Sequence, residues 1–412
     1  MIIKLLPYIF VILYLSVGFV PYLGSLDKYA TQYLYLSGLN ILVLGYLFSL
    51  RVNIKEIFKK KIFNLYSFFF LFGITSSLYA FNTTEVYVSS LRIFVYLMSI
   101  FNLFFLIKKL KNIPNFICLA FILILLIEVT YILYSFFSLY NFENYYRSPE
   151  LRGFTGNINI AAFSILLKLP YSFFIIQKIK KYQLLIGTSF YFIIISTIFL
   201  LGSRGANLAV LIITLSLVSS VFLFLKGLKN KVKKVSPVVL GLLLAIIFNS
   251  IAFYDNSISV SKTAVDISMD STSERLRYYS QAFETFWENP VKGIGLGNWK
   301  LHSIKLDSKD IIDYVVPYHV HNDFLQFAAE LGIIGIIAYL LVLFFSTLNF
   351  YNLLINNKSG LNQKIFALSA LLSMLVYVID SNLNFPYPRP IVYMPIIMFL
   401  SLSMNLIYIK DE

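Results

Sequence analysis

Charged side chains are scarce. Asp, Glu, Lys and Arg make up 13% of the 412 residues, against about 25% in ordinary globular chains. Too few polar groups remain to coat a water-soluble particle of this size, which excludes a soluble enzyme. One cysteine, Cys118, excludes both a disulfide framework and a thiolate metal site. Three histidines, His302, His319 and His321, leave little material for metal chemistry. No fixed-period repeat or low-complexity tract is found, and the two halves show no matching interrupted helices of the kind transporters use.

What is abundant is apolar. Hydrophobic residues reach 58% and aromatics 17%, and they come in long runs rather than amphipathic stripes, the pattern of helices that cross a bilayer. The chain reads as an all-α polytopic membrane protein of about 12 transmembrane helices. The spans fall near 5–24, 31–50, 62–81, 88–107, 114–138, 157–177, 182–202, 205–225, 235–254, 323–348, 364–380 and 391–408. The first run, with Lys4 before a long apolar core, reads as a retained anchor rather than a cleaved leader. Four regions follow: helices 1 to 5 in 1–138, helices 6 to 9 with two candidate anion turns in 139–254, one large external loop in 255–322, and helices 10 to 12 in 323–412.

Cytoplasmic loops retain Lys and Arg, and the cations here alternate from loop to loop. Lys4, the cluster Arg51 to Lys61, Lys108 to Lys111, Lys178 to Lys181, Lys226 to Lys234, Lys358, Lys364 and Lys410 all fall on one side. Both termini are expected in the cytoplasm, with the loop 255–322 on the opposite face. The basic balance therefore reports topology and not nucleic-acid binding. A loop this long exceeds what a connection requires. At its centre Ser271-Thr272-Ser273-Glu274 has the spacing of a capping box, and Pro290 with Gly293 ends the segment. On the helix between, Leu276, Tyr279, Phe283, Phe286 and Trp287 share a face that is expected to lie against the membrane-embedded body.

Four constellations carry possible chemistry. Arg152-Gly153-Phe154-Thr155-Gly156-Asn157-Ile158-Asn159 combines a cation, two glycines and two amides at a helix start, which suits an anion; a turn with an Asn cap explains it equally well. Gly202-Ser203-Arg204-Gly205 fixes a guanidinium in a tight turn, where it can fork onto phosphate oxygens or snorkel to headgroups. On the loop helix Arg275 falls with Tyr279, Ala282 and Phe286 on the body side, whereas Arg277 is expected to pair with Gln281 or Glu284. His319-Val320-His321-Asn322-Asp323 precedes the tenth span, and Asp323, Gln326 and Glu330 form a polar stripe down it. His321 is the candidate base, with a nearby carboxylate to fix its tautomer, while Asn322 or Asp323 caps the helix. A metal on the two histidines is the weaker reading, since no further ligand clusters there. Glu128 and Lys168 are expected to pair inside the membrane, and Arg92, Asp380 and Arg389 to snorkel at span ends.

Several arginines and one base beside a bilayer, with neither an acid pair nor a metal site, suit a lipid-borne diphosphate leaving group. The ordered set Arg152-Gly153-x-x-Gly156-Asn157-x-Asn159, Ser203-Arg204-Gly205, Ser273-x-Arg275, Asn289-Pro290-x-x-Gly293-x-Gly295-x-Gly297 and His321-Asn322-Asp323-x-Leu325-Gln326 resembles the O-antigen ligase superfamily. That superfamily includes O-antigen polymerases and protein O-oligosaccharyltransferases. The resemblance implies a metal-independent, inverting glycosyltransferase of the plasma membrane, without a cofactor. Its glycan would pass from undecaprenyl diphosphate to lipid A core, another glycan or a protein hydroxyl on the outer face. Carried over residue by residue, it implies His321 as catalytic base and Arg204, Arg275 and Arg152 as diphosphate ligands, with Asn157, Asn159, Asn322, Asp323 and Gln326 in support. Ile158 and Glu274 depart from the family, which more often has proline and glycine there. A flippase would share the span count but would not need the arginine-bearing outer helix.

Overall fold

The computed structural model describes residues 2–25, 27, 29–139, 149–252, 269–308 and 317–409, and among them only helices and turns occur, with no strand. Nine helices among these residues are long and apolar enough to cross a membrane: Lys61–Leu78, Thr83–Ile107, Ile113–Ser138, Ile158–Ile176, Gln183–Leu200, Arg204–Phe224, Lys231–Ala252, Asp323–Ile355 and Leu361–Leu383. Two further apolar helices, Lys4–Phe19 and Pro390–Ser403, are shorter. The remaining expected span is the helix Ala30–Ser49, whose Thr, Gln, Asn and Ser residues dilute its apolar character. The protein is thus all-α and polytopic, with every expected span helical and nine of the twelve meeting both length and apolarity.

The chain forms two compact units that interleave along the sequence. The first comprises Met1–Lys109, Ser268–Ser346 and Ser381–Met404; the second comprises Leu110–Ile267, Thr347–Asp380 and Asn405–Glu412.

In the first unit, polar side chains fix helix register where apolar burial gives no direction, because lipid is as apolar as the helix surfaces themselves. The Tyr14 hydroxyl donates to Asn40 Oδ1 at 2.7 Å, and the Asn102 amide donates to the same oxygen at 3.0 Å. An aromatic cluster lies beside them: Phe69 meets Phe327 at 5.2 Å, Phe327 meets Tyr387 at 4.8 Å, and Tyr387 meets Tyr393 at 4.6 Å between ring centroids. Such edge and tilted contacts satisfy ring quadrupoles that lipid would not.

In the second unit, Lys168 Nζ lies 3.0 Å from Glu128 Oε1 and both side chains are buried, as expected from the sequence. The Ser164 hydroxyl completes the network, with Lys168 Nζ at 2.7 Å. Helices Gln183–Leu200 and Lys231–Ala252 approach closely over Gly241, where a methyl group would meet Tyr191 Cβ at 2.5 Å.

Candidate functional site

The loop helix runs Met269–Glu288. It begins before Ser271, so the expected capping box lies inside it rather than at its start, while Pro290 does follow its end. Its packing shifts the expected face: Tyr279 and Phe286 are half-buried, with Tyr279 against the core, but the rest of that face is not. Ala282 packs with Trp299, Val320 and Ala329, and Tyr278, Gln281 and Thr285 are also buried. Leu276, Phe283 and Trp287, expected to lie against the body, are exposed. The small Ala282 and Thr285 let the helix approach closely, and Tyr278 is the one buried aromatic of the helix.

This packing positions the histidine segment. The Tyr279 hydroxyl lies 3.0 Å from the His321 carbonyl oxygen and 2.6 Å from that of Asn382. His321 itself has φ +62°, a left-handed backbone that non-glycine residues seldom adopt and that His tolerates better than most. Asn322 then caps the helix Asp323–Ile355, its Oδ1 accepting from the Phe324 and Leu325 amides at 3.0 Å each. Asp323 accepts from the Tyr387 amide at 2.9 Å. The imidazole of His321 meets the Phe385 ring edge-on at 4.8 Å, and its buried Nδ1 has no hydrogen-bond partner among the described residues. Burial, then the positive charges of Arg275 and Arg389, pull its pKa down from 6.5 to about 4. Each cause disfavours the imidazolium, so His321 is neutral throughout the physiological range. Arg275→Ala should move the His321 titration midpoint upward toward 6.5, as read by NMR of imidazole-labelled protein; an unmoved midpoint would place Arg275 too far away to act on the ring.

His319 takes a different position. Its ring stacks on Phe385 at 4.2 Å, its Nδ1 lies 3.4 Å from Gln326 Oε1, and burial followed by Arg389 lowers its pKa to about 3. Gln326 in turn donates to Glu330 Oε1 at 3.2 Å. Glu330 accepts from the backbone amides of Gly297 at 2.8 Å and Trp299 at 3.3 Å. The polar stripe therefore ties the span to the glycine-rich segment 289–297. That segment also bonds to the span through Ile294 to Ala329, Gly295 to Glu330, and Ile333 to Pro290. Contact this close leaves no room for side chains: a Cβ on Gly293 would fall 2.3 Å from the Glu330 carbonyl carbon.

Beside this junction lies a cavity of about 470 Å³, within the range of small-molecule sites. His319, Asp323, Gln326 and Glu330 form one part of its wall, Tyr318, Phe327 and Tyr387 another, and Arg92, Asp27, Glu85 and Lys300 line the rest. Arg92 contacts Asp27 at 2.5 Å and Lys300 contacts Glu85 at 2.6 Å. The expected snorkelling of Arg92 is thus replaced by an ion pair. Arg389, with 5% exposure, lies over Phe385 at 4.4 Å and Tyr29 at 5.2 Å, also inconsistent with snorkelling, and Asp380 is buried. Arg277 pairs with Asp307 at 2.7 Å, not with Glu284; Gln281 bonds the same carboxylate at 3.0 Å. Asp27, Glu85 and Lys300 were not singled out in the sequence, because each is an ordinary loop or helix-end charge until the fold brings them together.

The other expected ligands lie in the second unit. Asn157 caps the helix Ile158–Lys168, its Oδ1 accepting from the Asn159 amide at 2.9 Å and the Ile160 amide at 3.2 Å. Those two N–H groups, the ones an anion would use, are thereby engaged, and the cap reading of Asn157 is the one the geometry shows. Arg152 is half-buried on the turn Pro149–Thr155. Arg204, also half-buried, opens the helix Arg204–Phe224, where Ser203 accepts from the Ala206 amide at 3.4 Å. Leu151 and Leu200 share one buried cluster with Phe136, which brings the Arg152 and Arg204 turns to the same end of that unit.

Comparison with known proteins agrees with these motifs. Residues 189–340 match the family described as O-antigen ligase. A protein of Rickettsia conorii (strain ATCC VR-613 / Malish 7) that bears the provisional name polysaccharide ligase is 28% identical over 160 residues, a stretch covering 37% of this chain and 37% of that relative. The matched stretch therefore spans well under half of either protein. The family resembled by the motifs and the family found by comparison are the same, and the matched residues include Arg204, Arg275 and His321.

Proposed function

We propose that this chain, which carries an O-antigen ligase region in a polytopic membrane protein, is a glycosyltransferase that moves a glycan from undecaprenyl diphosphate to an acceptor hydroxyl on the outer face of the plasma membrane. The observation that carries this reading is that the helix bearing Arg275 holds the His321 segment, through the Tyr279 hydroxyl on the His321 carbonyl at 3.0 Å, and leaves the buried imidazole Nδ1 without a partner among the described residues. An arginine beside a neutral base is the combination that a diphosphate leaving group and an acceptor hydroxyl require. His321 takes the hydroxyl proton, the acceptor oxygen attacks the anomeric carbon, and the bond from that carbon to the diphosphate oxygen breaks with inversion. The departing charge falls on guanidinium groups, for which Arg275, Arg204 and Arg152 are the candidates that the family resemblance gives. Diphosphate binding offsets the positive field around His321 and raises its basicity when the proton must move. The cavity beside His319, with carboxylates, the Gln326 amide and four Tyr or Phe rings, suits a hydroxyl-rich sugar.

Arg204→Ala and Arg275→Ala are each expected to lower transfer by about 10²-fold or more, the scale of removing one transition-state charge ligand, with unchanged membrane expression and no response to EDTA. Full transfer in either variant would remove that arginine from the site, and EDTA sensitivity would overturn the metal-independent reading. Glycan analysis of a deletion strain fixes the acceptor class: long glycan retained on carrier lipid marks a ligase to lipid A core, single repeat units on the acceptor mark a polymerase, and loss of protein-linked glycan marks protein O-glycosylation.

A further inference from the structure

The loop helix Met269–Glu288 presents three distinct sectors at about 100° per residue. Tyr278, Gln281, Ala282 and Thr285 are buried against the protein. Ser280, Glu284 and Glu288 are exposed and polar. A third sector, formed by Leu276, Phe283 and Trp287, lies opposite the buried one and is both apolar and exposed; Trp287 has 63% of its surface open and stacks edge-on against Phe283 at 5.8 Å. A helix facing only protein and water has no use for such a stripe.

Two contacts set the height of this stripe. Just beyond the helix, the Pro290 carbonyl accepts from the Ile333 amide at 2.8 Å, which joins the exposed Val291 to the exposed Ile333 of a membrane span. Next to it, the Tyr79 hydroxyl donates to the Lys292 carbonyl, with the Lys292 ammonium 4.6 Å from the Tyr79 ring centre. Tyr79 directly follows the end of the span Lys61–Leu78, where Leu78 and Phe81 are exposed by 87% and 91%. The loop helix therefore ends at the level where a span ends, beside exposed apolar side chains of the candidate spans. An aromatic pair with a neighbouring lysine is the composition found at bilayer interfaces.

We infer that the loop helix lies in the membrane interface, with Leu276, Phe283 and Trp287 inserted among the lipids and Glu284 and Glu288 turned to water. The bilayer thereby becomes the third wall that holds the helix carrying Arg275 and clamping His321. This inference rests on the membrane reading alone and not on the proposed reaction.

Tryptophan fluorescence tests it, because the only other tryptophan, Trp299, is buried. Full-length protein is reconstituted into phosphatidylcholine vesicles, and the emission lost in Trp287→Phe isolates the Trp287 signal; the exposed site tolerates that change. Trp287 emission should lose most of its intensity in vesicles brominated at shallow acyl positions, and little on adding iodide. Quenching by iodide would show the face open to water and overturn the inference. Quenching by neither would show it covered by protein, whether residues 253–268 or a second copy, and would overturn it equally.

Discussion

His321→Ala should reduce glycan transfer by about 10²- to 10⁴-fold, the range that a positioned general base supplies, while donor binding is retained. The expectation follows from how the residue is held. Its carbonyl is engaged by the Tyr279 hydroxyl and the following asparagine caps a membrane helix, backbone contacts that alanine leaves in place at a cost of about 1–2 kcal/mol for the left-handed backbone. Loss of rate without loss of fold is therefore the predicted signature, measured as turnover of purified protein with lipid-linked glycan and an acceptor. Should the alanine variant keep more than about a tenth of the rate, below the usual range for a general base, His321 is not the base. His319 would then be next in line, since it lines the cavity and contacts Gln326.

The second large effect is on the fold. Gly332 interrupts the helix Asp323–Ile355 with φ +61° and ψ −164°, a backbone region essentially closed to other residues at a cost of about 1–3 kcal/mol. A Cβ there would also fall 2.4 Å from the Val291 carbonyl carbon. Gly332→Ala thus strains the span and pushes away the segment whose amides Glu330 holds. A lower thermal-unfolding midpoint in detergent and poor recovery from membranes are expected. Wild-type stability in this variant would show that the break in the helix is not needed.

Much of this was legible in the sequence. Apolar run length located the helices, and the Glu128 and Lys168 pair was readable because two opposite charges inside apolar spans have few other options. The histidine segment and its asparagine cap were readable because capping chemistry is local. The inward face of the loop helix was only partly readable: Tyr279 does turn toward the core, but the closest contact is made by the small Ala282 and Thr285, and Leu276, Phe283 and Trp287 stay exposed. Arg92 and Arg389 were misread because Asp27 and Tyr29, which contact them, come from a segment far away in the chain. The cavity charges were invisible for the same reason, since no local pattern links Asp27, Glu85 and Lys300.

The buried ion pair of the second unit has a consequence for biogenesis. Glu128 lies midway along Ile113–Ser138, and Lys168 midway along Ile158–Ile176. Either helix released alone into the bilayer would carry an unneutralised charge at its centre, a penalty of about 2.5–3.5 kcal/mol on insertion scales for Lys or an acidic residue. Pairing removes that penalty from both helices, so each is expected to be better held in lipid once the other is present and the two can sit there as a neutral pair.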